Sequence, residues 1–401
     1  MAKSSKILAP RNEEELAGIV AKAMRERTPL EISGAGSRRG YGNPVQSVLG
    51  VSTSAMTGIT LYEPAALTIV ARAGTPLDAI RDALAAEGQH LPFEPADLSA
   101  LLGNKSRPTI GGTVATGISG PRRIQAGAVR DSLIGVRFVD GTGAVIKNGG
   151  RVMKNVTGYD LVKMMCGSNG TLGVLTELSF KVLPRPRMTA TLSLDGLDDD
   201  KAIAALAAAL GSPFDITGAA HVSGTASTFV RIEGFGESVA YRAGQLSQLL
   251  APFGKCRIND DGKANTLLWQ DIRDCTAFAD KPGAVWRLSV KPSDAPRIVA
   301  GLRTGPAMDA VYDWGGGLVW LLVPEEGDCA AAMIRKAVAA SGGHATLVRA
   351  GDANRASTGV FQPEPAPVAA ISAALRAKYD PAGILNPGRM GFEAPAIRKA
   401  G

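Results

Sequence analysis

The chain has 401 residues, 45% of them hydrophobic and 20% charged, the balance of an ordinary folded protein with room for two or three domains. A formal charge of +7, only 5% aromatic residues and dispersed basic positions argue against nucleic-acid binding; they fit an anionic cofactor, an anionic substrate, or an acidic partner or membrane surface. Cys166, Cys256, Cys275 and Cys329 lie far apart with no C-x-x-C pair, which excludes an iron–sulfur or zinc site of usual spacing and leaves reduced, mostly buried cysteines as the expectation.

The opening residues lack the apolar core of a signal peptide, and no apolar run reaches the roughly 18 residues of a membrane span. A cytoplasmic protein is expected, with peripheral attachment to the inner face of the membrane through partners left open. The first helix is marked by Asn12 as N-cap, by Glu13 to Glu15 in the first turn, and by Leu16, Ile19, Val20 and Ala23 on one face. A strand through Ile32 and Ser33 then enters Gly34-Ala35-Gly36-Ser37-Arg38-Arg39-Gly40. The dinucleotide fingerprint G-x-G-x-x-G would require glycine where Arg39 stands. A helix also precedes this strand, and none is expected after the loop, so the loop is not of Rossmann type. Glycines that permit close backbone approach, a serine hydroxyl and two arginines nonetheless suit a diphosphate.

A strand is expected over 67–73. Thr75 as cap, Pro76 at the first helical position and Asp78 at the third then open a helix carrying Leu77, Ile80 and Leu84, ended by Gly88. The stretch 103–150 reads as loops and short strands near a ligand, with the small residues 111–117 turning backbone N–H groups towards it. A short helix with Leu161, Met164 and Met165 leads through Gly170 and Gly173 into a strand with Val174, Leu178, Phe180 and Val182. Pro184-Arg185-Pro186 suggests a domain boundary. Beyond it, 188–258 and 284–349 each read strand, helix, strand, strand, helix, strand. That is the split βαβ (ferredoxin-like) order twice, and the two units are able to share one larger sheet. A helix near 365–379 precedes the Pro/Gly turn from Asp380 to Arg389, which either returns to a ligand site or simply ends the chain.

These motifs together resemble the vanillyl-alcohol-oxidase/PCMH flavoprotein family. The resemblance is carried by Ile32 to Ser37, Thr109 to Ala115, Lys154 to Leu161, Gly170 to Glu177 and the tail from Asp380. It implies an α+β fold with a PCMH-type FAD domain of two α+β subdomains over 1–185, a cap of ferredoxin-like units over 186–360, and a segment 361–401 returning to the FAD domain. Within the family, 120–131 and 152–155 are most similar to the FAD-binding subunits of bacterial glycolate oxidases. The similarity implies oxidation of glycolate or a related 2-hydroxy acid to the 2-oxo acid, with electrons passed to a respiratory acceptor. The partners implied are a catalytic flavoprotein paralogue and an iron–sulfur subunit. The alternative is a flavin-bearing assembly subunit that scaffolds those partners without turnover of its own; a nicotinamide-dependent dehydrogenase is a third reading.

The resemblance assigns cofactor contacts to Ser33, Gly34, Ala35, Gly36, Ser37 and Arg38 around the pyrophosphate, and to Gly111, Gly112, Thr113, Thr116 and Gly117 along the flavin and ribityl side. Val174 offers backbone groups to the adenine portion, Gly170 and Gly173 are further cofactor contacts, and Asn386 lies in the tail that approaches the ring. Relatives with covalent flavin commonly use a histidine in the first glycine loop; residues 34–40 hold none, so non-covalent FAD is expected. Related dehydrogenases carry clustered histidines in the cap, whereas His90, His221 and His344 are widely separated here, so no metal site is expected and no catalytic base is identified. His221, in an apparent strand, reads as structural. Arg287, Lys291, Arg349 and Lys378 are cap-region cations able to bind a carboxylate, with solvated charge the default for each. Asp198 to Asp200 read as the polar start of a helix.

Overall fold

In the computed structural model, which describes residues 6–47, 49–150 and 158–391, a strand–helix–strand unit comes first. β1 (Lys6–Leu8) precedes α1 (Glu13–Glu26). The Asn12 side chain accepts the Glu15 N–H at 2.8 Å, and Leu16, Val20 and Ala23 form the buried stripe. β2 (Leu30–Ser33) and β3 (Leu49–Ser52) pair in parallel, and β1 lies on the far edge of β3. The tail completes this sheet, since Leu30 N–H donates to Ile384 O at 2.8 Å and Asn386 N–H donates to Leu30 O at 3.0 Å.

β4 (Ile59–Glu63), β5 (Thr68–Arg72), β7 (Leu133–Val139), β8 (Val145–Gly149) and β9 (Val174–Lys181) make a second, antiparallel sheet in the order β4-β5-β9-β7-β8. The small pair β6 (Gln89–His90) and β10 (Leu183–Pro184) lies beside it. α2 (Leu77–Ala86) buries Leu77, Ile80 and Leu84. Its N-cap is Pro76 rather than Thr75, because the Thr75 hydroxyl donates to Arg72 O at 2.6 Å and closes a turn instead. The stretch expected as loops and strands holds three helices: α3 (Ile110–Thr116), α4 (Arg123–Ala126) and α5 (Val129–Ser132). Thr109 overrides the poor helix propensity of Gly111 and Gly112: its side chain caps the Gly112 N–H, while Ile110 and Val114 are fully buried. α6 (Leu161–Met165) is capped by Asp160. Residues 152–157, which carry part of the family resemblance, lie outside the described residues.

The remaining strands form one eight-stranded antiparallel sheet. β11 (Met188–Asp195), α7 (Asp199–Leu210), β12 (Ile216–Val222), β13 (Ser227–Gly234), α8 (Gly236–Leu250) and β14 (Arg257–Asn259) are the first split βαβ unit. α9 (Gly262–Asp274), a helix that sequence reading missed although Asp261 caps it, leads to the second unit. That unit is β15 (Ala284–Ser289), α10 (Ala295–Leu302), β16 (Asp309–Asp313), β17 (Leu318–Val323), α11 (Ala331–Ala339) and β18 (His344–Arg349). In the order β14-β11-β13-β12-β16-β17-β15-β18 the second unit repeats the strand order of the first in reverse, and the two join where His221 and Val222 pair with Tyr312 and Val311. α7, α8, α10 and α11 cover one face. On the other, Val285, Val311, Trp320 and Val348 pack against Tyr41, Leu98, Leu101 and Ile118 of the first part of the chain. α12 (Asp352–Thr358) and α13 (Ala366–Tyr379) complete the fold. No helix among the described residues is long and apolar enough to cross a membrane.

Candidate functional site

Where β2 ends, the backbone turns through Gly34, Ala35, Gly36 and Ser37, with Gly36 at a φ of +87° that favours glycine. The N–H groups of Ala35, Gly36, Ser37 and Arg38 donate to no acceptor among the described residues, and the Ser37 hydroxyl likewise has no partner there. A run of unsatisfied donors beside a groove is an anion-binding nest. The nest opens onto a groove walled by the glycine loop, by α3 and by the loop before β9.

Ser33, Gly34, Ala35, Gly36, Ser37 and Arg38 form one wall, Gly111, Gly112 and Thr116 of α3 the next, and Gly170, Gly173, Val174 and Asn386 close it. Thr113 and Gly117 do not line it. The Thr113 hydroxyl donates to Thr109 O inside the helix, and Gly117 caps α3 in a left-handed conformation. The expectation that 111–117 presents backbone N–H groups is corrected. Ile110 donates to Thr75 O, Gly111 to Ala73 O, Gly112 to Thr109 Oγ1 and Thr113 to Thr109 O. What Gly111 contributes is close packing of α3 on the end of β5, for a Cβ there would sit 2.7 Å from Ala73 O and Ala73 Cβ.

The two arginines of the first loop part company. Arg38 turns inward, donating to Ala96 O at 2.6 Å, to Gly112 O at 3.2 Å and to the Thr116 hydroxyl, so it ties the nest to α3. Desolvation pulls its pKa down to about 10 against the opposing fields of Asp97, Tyr41 and Asp274. Arg39 is exposed and lies 3.5 Å from Glu31.

Asn386 acts as a clamp. Its Oδ1 accepts the Ile32 N–H at 2.7 Å and its Nδ2 donates to Asn169 O at 2.8 Å, which joins β2 to the loop before β9. Sequence reading missed Tyr41, Thr53, Asn169 and Arg389 in the groove wall. Arg389 donates to Arg39 O and Tyr41 O, both at 3.1 Å. The signal for it was its place three residues after Asn386 in the same turn.

The seam between this half and the eight-stranded sheet is ionic. Arg231 of β13 grips Glu94 through two 2.8 Å bonds, and Arg122 bridges Glu94 and Glu233. Burial alone would raise the Glu94 pKa, but Arg231 and Arg122 hold it down at about 2. Asp313, at the end of β16, is buried so completely that its carboxyl rises to about 7, although it accepts the Trp314 N–H at 2.7 Å.

The three histidines stay apart. His221 is fully buried in β12, with Nδ1 2.9 Å from Thr228 Oγ1. His90 and His344 sit at strand ends rather than in loops. Burial, with the field of Arg122, pulls His90 down to about 4. None of the three lines the groove, and no His/Cys/Asp/Glu group among the described residues is arranged to hold a metal. All four cysteines are free. Of the cap cations, Arg349 is committed to the carbonyls of Gly283, Phe278 and Lys281.

The profile of the FAD binding domain family matches residues 4–149. Glycolate oxidase subunit GlcE of Escherichia coli K12 is 37% identical over 372 residues, 92% of this chain and 95% of that protein. The chain belongs to the FAD-binding oxidoreductase family that includes this subunit. Its cofactor is FAD, and the free donors of residues 35–38 suit the cofactor's pyrophosphate. Within the same family, glycolate oxidase subunit GlcD of Bacillus subtilis is 32% identical over 188 residues, 46% of this chain and 38% of its own length. Two solved structures share the fold at 15% identity and a TM-score of 0.71. They are 4-ethylphenol oxidase from Gulosibacter chungangensis, covering 98% of this chain and 90% of that one, and p-cresol methylhydroxylase, covering 96% and 88%. The fold is thus α+β of PCMH type.

Proposed function

We propose that this chain is the FAD-binding subunit of a complex that oxidises glycolate or a related 2-hydroxy acid to the 2-oxo acid and passes the electrons to a respiratory acceptor. The observation that carries the reading is likeness to a glycolate oxidase subunit over 95% of that protein's length. In this reading 1–185 form the FAD domain, 186–360 the cap, and 361–401 return to the FAD domain. The assembly joins a flavoprotein paralogue and an iron–sulfur subunit, in the cytoplasm or at the inner membrane face.

FAD supplies the acceptor for the two electrons of the C–H bond. The chain's own residues do the holding. The nest at 35–38 takes the pyrophosphate, the groove wall of α3 at Gly111, Gly112 and Thr116 takes the flavin and ribityl chain, and the walls beside Gly170, Gly173 and Val174 take the adenine end. Asn386 and Arg38 position these walls rather than touch the reacting atoms. FAD is held without a covalent bond, a reading supported by the absence of histidine and cysteine from the groove wall among the described residues.

The test is an absorption spectrum of the purified chain, followed by anaerobic addition of glycolate. A flavin spectrum, bleached by glycolate and released on denaturation, is expected. Flavin that bleaches only after the partner subunits are added would favour the assembly subunit, and a colourless chain that binds nicotinamide nucleotides would overturn the reading.

A further inference from the structure

Two guanidiniums meet at one indole on the seam. Trp314 follows β16 in a left-handed conformation, with φ of 54°, and its ring N–H donates 3.0 Å to Gly120 O across the seam. The Arg123 guanidinium carbon lies 4.5 Å from the Trp314 ring centroid and that of Arg287 lies 5.2 Å from it. Such stacking orients both cations but leaves their edge N–H groups to find acceptors.

Those acceptors are missing. Neither guanidinium has a hydrogen bond or an ion pair among the described residues, and Arg287 Nε is wholly buried without a partner. The contrast with the same seam is that Arg122 and Arg231 there form ion pairs with Glu233 and Glu94. Asp313 acts on Arg287 and Asp131 on Arg123 through their fields, but neither forms an ion pair with them among the described residues. The fields on Arg287 come from Tyr41, Arg123 and Asp313, and those on Arg123 from Arg130, Asp131 and Cys166. His344 feels both cations, adding a third polar group to the surroundings. Two half-buried like charges that share one indole repel each other, and their edge N–H groups lack acceptors. Such an arrangement is suited to taking an anion.

We infer that Arg123 and Arg287, which share the ring of Trp314, form a seat for a small carboxylate, so that this chain itself binds the acid group of its substrate. Guanidinium forks match a carboxylate in two-point geometry, which a lone ammonium does not. The position adjoins the groove, because Trp314 packs on the apolar cluster that contains Tyr41 and Tyr41 is part of the groove wall. One guanidinium comes from each side of the seam, so the seat is complete only when the cap lies on the FAD half. The inference rests on the proposed function for the nature of the acid, but the seat is argued from the unpartnered cations.

The test uses the FAD-loaded full chain and sodium acetate or glycolate under nitrogen, read by thermal midpoint and by tryptophan fluorescence, with chloride at equal ionic strength as control. Carboxylate is expected to raise the midpoint of the wild type. Arg287→Gln and Arg123→Gln are each expected to weaken binding at least about tenfold, the scale of one charge-assisted bond. Arg287→Lys should recover part of the affinity. The midpoint of the carboxylate-free variants should not fall, since a partnerless cation is removed. Unchanged carboxylate affinity in Arg287→Gln would overturn the seat while leaving the proposed oxidase untouched. Loss of FAD from the variants would also overturn it, by giving the pair to the cofactor. A wild type that binds carboxylate yet whose flavin is never reduced by glycolate, even with the partner subunits, would keep the seat and sink the oxidase reading.

Discussion

Asn386 uses its whole amide to hold two segments that are far apart in sequence, Ile32 on β2 and Asn169 before β9. It is 2% exposed and sits at a φ of 44°, a conformation that asparagine tolerates better than most residues. Gly170 must lack a side chain for this reason, as a Cβ there would come within 2.8 Å of Asn386 Nδ2. Asn386→Ala removes the clamp and strands the Ile32 N–H. We expect FAD to dissociate roughly tenfold more readily, from a loss of about 1–2 kcal/mol, measured as flavin released on dilution and gel filtration. Undiminished retention would show that the groove walls stand without the tail. At this scale the glycine loop was legible because its lack of side chains is written in the residues themselves. The divergence of Arg38 and Arg39 was not, since adjacent arginines differ only in what the fold places beside them.

Among the elements, α3 was the clearest surprise. Glycine content argued against a helix, but one threonine cap and two buried aliphatic residues outweigh it, and the N–H groups meant for a ligand are taken by Ala73, Thr75 and Thr109. The join between the two split βαβ units is equally local. β12 and β16 share only a short register, and Asp199 of α7 reinforces it by accepting from Ser223 at 2.5 Å, Arg303 at 2.7 Å and Tyr312 at 2.8 Å, with His221 Nε2 at 3.3 Å. Burial alone would raise the Asp199 pKa, but His221, Ser223 and Tyr312 outweigh it and hold the carboxyl well below the usual range. Stability from a lowered carboxyl is present above its unfolded pKa of about 4 and is lost as pH falls further. Asp199→Asn should therefore cost about 2–4 kcal/mol at neutral pH, and the gap to wild type should close in acid. Denaturant unfolding at pH 7 and pH 3 checks this; an equal gap at both would contradict it. The strand–helix order of these units was readable because alternation and helical spacing are local patterns. α9 is less legible, although Asp261 offers an N-cap signal, because it lies between the two units and belongs to neither repeated order.

For the whole molecule, the seam decides function. It couples a nest in one half to a sheet face in the other, with paired arginines at Glu94 and Glu233 and unpaired ones at Trp314. Asp313 lies in that seam with its carboxyl raised to about 7, chiefly by desolvation. The sign is opposite to that of Asp199: the folded chain favours the protonated form, so this contribution is full below about pH 4 and is lost as pH rises to about 7. Wild type should lose up to about 1.4 kcal/mol per pH unit across that window relative to Asp313→Asn. Thermal or urea unfolding of both proteins between pH 4 and pH 8 reads the difference. Parallel profiles would mean that Asp313 ionises freely in the fold.

Taken alone, the sequence determined the α1 stripe, the glycine loop, the twice-repeated strand–helix order and, through the ordered motifs, the flavoprotein family. Each depends on neighbours within a few residues or on residue types in order, which the chain records directly. Tertiary structure decided which donors stay free and which cations stay unpaired. The N–H groups at 35–38 are open while those of α3 are closed, and Arg231 is saturated while Arg287 is not. Those differences depend on which groups distant in sequence the fold brings within hydrogen-bonding reach, which no local pattern records.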